Sequence, residues 1–151
     1  MSKKLEMGLY KAATLTFEDL GFLLPTQEID EQQLNAQVEA VVSVDFEGPF
    51  SGKLLLRVCG GLLPIIATNM LGEADVPSKS VQYDALGEIA NVICGNMLPE
   101  IAGSNHIFHV SAPKITDDID LPPVAEVQVG LGIGRADLLL FVSNYSALLE
   151  E

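Results

Sequence analysis

The stretch Asp84-Ala85-Leu86-Gly87-Glu88-Ile89-Ala90-Asn91-Val92-Ile93-Cys94-Gly95-Asn96 organises the reading of the whole chain. At about 100° per residue, Asp84, Glu88, Asn91 and Gly95 fall on one line of a helix. Leu86, Ile89, Ala90, Ile93 and Met97 fall on the opposite side, as a core stripe does. A carboxylate and a carboxamide thus stand one turn apart on a face with few other charges. Decoration of a solvated surface accounts for an exposed Glu and Asn, and so does contact with another molecule. Asn is a poor helix former, and Gly87 and Gly95 each weaken a helix by about 1 kcal/mol relative to Ala. Close approach of another backbone explains the glycines. Tight packing of a second helix explains them equally well.

Upstream of this helix, Ser80 reads as its N-cap, with Glu73 to Lys79 a loop. Downstream, the helix runs to about Pro99 or a little beyond, since a proline kinks or ends a helix at the preceding turn, and Glu100-Ile101-Ala102-Gly103 is left open. At the start of the chain, Leu5, Leu9, Ala12, Ala13, Thr16, Phe17 and Leu20 recur at helical spacing. They predict a first helix from about Lys4 to Leu20, stopped near Gly21 and Pro25. Thr26 to Gln37 is polar and acidic and reads as a solvated connector with no binding role. Val38 to Phe46 and Lys53 to Val58 are rich in β-branched and apolar residues. They predict a hairpin closed by the turn Glu47 to Gly52. A second helix spans Leu62 to Leu71 and ends at Gly72. Ile107 to Ser111 reads as a strand. Val124 to Leu131 and Arg135 to Ser143 read as a final hairpin turning at Gly132-Ile133-Gly134, and Tyr145 to Glu151 as a short polar end. The sum is about five mostly antiparallel strands and three helices, an α+β fold in one domain over residues 1–151.

The chain carries 21 acidic against 8 basic residues, a net charge of -13. Phosphates repel such a surface, which argues against nucleic acid and anionic membrane as partners. No apolar run approaches a membrane span, and the expected location is the cytoplasm. Cys59, on a loop, and Cys94, on the central helix, form no CxxC pattern and read as reduced, small hydrophobic residues. Gly130-Leu131-Gly132-Ile133-Gly134 lacks the GxGxxG spacing and leads into a strand, so it reads as a turn and not a phosphate cradle. His106 and His109 point to opposite faces of their strand and have no ligand-spaced neighbours. Asp117, Asp118 and Asp120 lack the Gly and the final Glu of a calcium loop. No metal site is expected, and no Ser/His/Asp set suggests a nucleophile.

Asp84-x3-Glu88-x2-Asn91, followed by Gly95-Asn96 and by Pro113 about twenty residues on, resembles the chemotaxis phosphatases of the CheC/CheX/FliY class. Asn69-Met70-Leu71-Gly72-Glu73 and the Phe46-x-Gly48 to Gly52 hairpin are most similar to the CheX branch. The similarity runs from the first helix to the last strand. It implies a CheX-like phosphatase domain that hydrolyses the phospho-aspartate of a CheY-like response regulator in two-component signalling. Asn91 then inserts into the receiver and holds the attacking water in line with phosphorus, while Glu88 pairs with the receiver's lysine. Asp84 and Gly95 are expected on the partner-binding face; that Gly95 lets the receiver surface come close is inferred from its missing side chain and is not a feature of the family. No cofactor of the chain's own is implied, since the receiver brings its Mg²⁺. Related members form homodimers through sheet edges, so a homodimer is expected. Other branches carry two Glu-x-x-Asn helices. Here Ile66 stands where the acid before Asn69 would be, which leaves one active helix. A reading from another class remains beside this one: a non-catalytic module that holds a receiver without hydrolysis.

Overall fold

Alternation along two strands sets the first layer. Val38–Glu47 (β1) and Gly52–Cys59 (β2) pair antiparallel with Val44 opposite Leu54 and Val42 opposite Leu56. Because side chains alternate at period two, Val42, Val44, Phe46, Leu54, Leu56 and Val58 share one face and are buried there. The computed structural model describes residues 3–72 and 74–143. In it these strands join four others in one sheet with the order β3-β1-β2-β6-β5, and β4 also pairs with β1. The remaining strands are His109–Val110 (β3), Lys114–Ile115 (β4), Ala125–Leu131 (β5) and Gly134–Val142 (β6). Every pairing is antiparallel. The fold is α+β.

The helices are Lys3–Asp19 (α1), Glu31–Leu34 (α2), Leu62–Leu71 (α3) and Lys79–Ala102 (α4). α1, α3 and α4 cover the inner face of the sheet. Leu9, Phe17, Leu63, Ile66, Leu86, Ile89 and Ile93 join the strand residues in one core. Fully burying each such side chain contributes about 1.5–3 kcal/mol, so α4 is anchored along its length. The outer face carries a small cluster of Val41, Leu55 and Leu139, against which Ile119 and Phe141 pack. The loop bearing Ile119 is tied down by Arg57, which donates to Asp118 (2.7 Å) and to the buried Asp137 (2.9 Å). Arg135 donates to Asp137 as well (2.9 Å) and to the carbonyls of Gln33 and Leu34.

Several expectations shift. The N-cap of α4 is Ser78, two residues before Ser80: it follows Pro77, keeps an extended backbone (ψ 160°), and its Oγ accepts from Val81 N–H at 3.4 Å. Ser80 already lies in the helical turn. The supposed connector holds α2, closed by a reciprocal capping box between Asp30 and Gln33. The strand expected over Ile107–Ser111 shrinks to β3, and β4 follows it after Pro113, whose missing N–H breaks the ladder. Among the described residues the total is therefore six strands and four helices. His106 precedes the strand, and Cys59 is the last residue of β2, not part of a loop. α4 passes through Pro99 to Ala102. The polar end at Tyr145 to Glu151 and the acid Glu73 lie outside the described residues.

Candidate functional site

α4 is the element that positions every candidate side chain. Its inward stripe, Leu86, Ile89, Ala90, Ile93 and Met97, is fully buried. The line of Asp84, Glu88, Asn91 and Gly95 is exposed throughout. The four residues therefore form a ridge on a helix held rigid from behind, which suits groups that must act at a fixed geometry. Among the described residues, none of the three polar members of the ridge has a side-chain hydrogen bond or an ion pair within the chain.

The two glycines part ways. A Cβ on Gly87 meets the ring of Pro113 at 3.0 and 3.2 Å, so this glycine is a close-packing site against the segment between β3 and β4. A Cβ on Gly95 meets nothing within 4 Å, so its missing side chain leaves open space on the ridge. Pro99 adds to this. It carries no N–H, so the Gly95 carbonyl lacks the donor that an α-helix supplies four residues on.

Two hollows flank the ridge. One, of about 500 Å³, lies between the end of α1 (Asp19, Leu20, Phe22), the end of α3 (Met70, Leu71) and Val81, Asp84, Ala85 and Glu88 of α4. The other, of about 290 Å³, lies between Tyr83, Asp84 and Gly87 and the Pro113-Lys114-Ile115 segment. Asp84 borders both. Lys114 is turned toward Asp45, 3.2 Å away. Asn69 points to neither hollow: its amide donates to the Gly21 carbonyl at 2.8 Å, and Ile66 before it is fully buried. A convex polar ridge with apolar flanks is the form of a surface that docks a macromolecule. A small-molecule site is enclosed. Sequence periodicity found the ridge but not the flank. Phe22 and Leu71 sit at helix ends, where no periodic signal marks them.

Of the remaining candidates, Asp118 is taken by Arg57. Among the described residues no group of three His, Cys, Asp or Glu is placed to hold a metal ion, and no helix is long and apolar enough to cross a membrane.

The family model described as chemotaxis phosphatase CheX matches residues 40–126, a span that contains the whole ridge. The chain belongs to the CheX family. Among curated protein sequences none matches it. Solved structures agree in fold at low identity. The chemotaxis protein CheX of Vibrio vulnificus superposes with a TM-score of 0.70 at 16% identity, covering 95% of this chain and 100% of its own. The CheX of Desulfovibrio desulfuricans gives 0.71 at 15%, covering 92% and 99%. CheX in the CheX-CheY-BeF3-Mg²⁺ complex of Borrelia burgdorferi gives 0.58 at 12%, covering 90% and 96%. In that structure the Borrelia CheX is in complex with CheY, BeF3 and Mg²⁺. The family is described as one of chemotaxis phosphatases.

Proposed function

We propose that this chain hydrolyses the phospho-aspartate of a CheY-type receiver, with Asn91 as the residue that holds the attacking water. The observation that carries the reading is the exposed pair Glu88 and Asn91, one turn apart on a helix whose other side is fully buried. In the reaction, water oxygen forms a bond to phosphorus and the bond from phosphorus to the aspartyl oxygen breaks. The carboxylate leaves, and inorganic phosphate carries both of the water's protons as H2PO4⁻, one of which it then exchanges with solvent. The transition state is loose and asks little of a base. A neutral amide therefore serves: its oxygen accepts a hydrogen bond from the water and fixes its line of approach, without adding charge near the phosphoryl oxygens. Glu88 pairs with the receiver's lysine and sets the depth of insertion. Asp84 extends the acidic edge of the contact, and Gly95 leaves room for the receiver's backbone. The receiver's own Mg²⁺ neutralises the phosphoryl charge. Cytoplasmic residence follows from that substrate. A homodimer paired along a sheet edge, at β5 or at the short β3 and β4, is the assembly this family reading implies.

Phosphate release from phosphorylated CheY-type receivers with Mg²⁺ tests the reading. Wild type accelerates release and Asn91→Ala does not, while the variant keeps its circular dichroism and melting temperature. Equal rates with and without wild-type protein, across the receivers of the source genome, sink the phosphatase and leave the ridge as a docking face alone.

A further inference from the structure

Phe22 is the one residue other than glycine with positive φ among the described residues, at 51°. Such a backbone is rare for a bulky residue, and where it occurs the surrounding structure must hold it. It is held on both sides. Leu23 N–H donates to the Phe17 carbonyl at 3.0 Å, folding the chain over the end of α1. Asn69, from α3, donates its amide to the Gly21 carbonyl at 2.8 Å. The product of this constraint is a phenylalanine left 68% exposed at the edge of the larger hollow. Leu71 (48%) and Val81 (37%) are exposed beside it, with Met70 below. Folding alone gives no reason to pin an aromatic ring in solvent. The rim is acidic: Asp19, Asp84 and Glu88 line the same hollow, and among the described residues none of them has a cation partner.

We infer that this groove is a second contact for the receiver, gripping an apolar side chain of the partner that is flanked by lysine or arginine, with Phe22 as the anchor and Asn69 as the residue that positions it. The inference rests on the receiver reading above and adds to it a site that Glu88 itself borders and that is continuous with the ridge. The apolar walls match an apolar insert, and the three carboxylates match a cationic surround. Glu88 then serves both sites. Asn69 thereby acquires a part although no acid precedes it.

The experiment is equilibrium binding of CheY-type receivers from the source genome, saturated with Mg²⁺ and BeF3⁻, together with steady-state turnover of their phosphorylated forms. The variants are Phe22→Asn, Leu71→Asn and Asn69→Ala. Asparagine tolerates left-handed φ, so Phe22→Asn keeps the turn while removing the ring. Ile133→Asn, at the β5–β6 turn, is the control for loss of exposed apolar surface. The expected result is binding weakened about tenfold in the two groove variants, the usual scale for losing an anchor. KM rises to match, kcat stays near wild type, melting temperatures hold and Ile133→Asn is silent. Phe22→Tyr restores binding, and raising salt weakens wild-type binding. Wild-type affinity in both Phe22→Asn and Leu71→Asn overturns the groove while leaving the phosphatase standing if turnover persists. Tenfold weaker binding in those variants supports the groove even where Asn91→Ala turns over like wild type, which would sink the catalytic role of the ridge instead. A wild-type chain that binds no receiver overturns both.

Discussion

At the scale of single residues, the contrast between Asn91 and Cys94 shows what burial decides. They lie one turn apart on α4. Asn91 is exposed and free to act on a partner, whereas Cys94 is sealed in the core. Burial pushes the Cys94 thiol from 9.0 up to about 12. The unfolded thiol releases its proton near 9.0, so over the window between the two values the folded chain holds a proton that the unfolded chain has lost. The stability this contributes is complete below the lower value and is lost as pH rises toward the upper one. The decline is at most about 1.4 kcal/mol per pH unit. Urea midpoints measured at about pH 8 and about pH 10.5 check this. Cys94→Ala shows a smaller drop between the two than wild type does, and an equal drop refutes the assignment. The same burial predicts that iodoacetamide leaves Cys94 unmodified in the folded chain at neutral pH. Asn91→Ala belongs here too: the expected loss of turnover comes without loss of fold, because the exposed side chain has no hydrogen bond or ion pair within the described residues to give up.

At the scale of the helix, the two glycines separate packing from access. Gly87→Val drives a branched side chain into Pro113, whose ring already stands 3.0 Å from where a Cβ would be. Overpacking of this kind costs about 1–3 kcal/mol, read as a lowered urea midpoint. Gly95→Ala meets open space and removes a helix-weakening residue, so stability rises by about 0.5–1 kcal/mol. If the receiver's surface comes close there, the same variant loses turnover through a raised KM. A gain in stability with unchanged KM would assign Gly95 no part in docking. The period of α4 was legible in advance, because apolar residues at helical spacing have one place to go. Its start was not. Ser78 and Ser80 are the same residue type, and only the backbone after Pro77 decides which hydroxyl reaches a free N–H. How far α4 runs past Pro99 was left open by the sequence, since the packing of Met97, Leu98 and Ile101, which outweighs the lost hydrogen bond, is decided by tertiary contacts.

At the scale of the whole molecule, Asp137 joins parts that are far apart in sequence. It is fully buried between Arg57 on β2 and Arg135 on β6. Through these arginines it reaches Asp118 on the outer loop and the carbonyls at the end of α2. Removing one partner from a buried charge set leaves the others uncompensated, at about 3–5 kcal/mol. Asp137→Ala is therefore expected to lower stability by that amount in urea titration, with phosphatase activity retained at temperatures where the variant is folded. A change below about 1 kcal/mol would show that the cluster behaves as an exposed one. By itself the sequence determined the α+β class, the helix at its centre and the ridge of Asp84, Glu88, Asn91 and Gly95. Each of these rests on local periodicity, and periodicity is written in neighbouring residues. Only the tertiary structure decided what Gly87 is for, where Asp118 goes, and that Asp19, Phe22, Leu71 and Glu88 border one hollow. Those facts depend on which distant segments meet, and burial of the core settles that for all of them together.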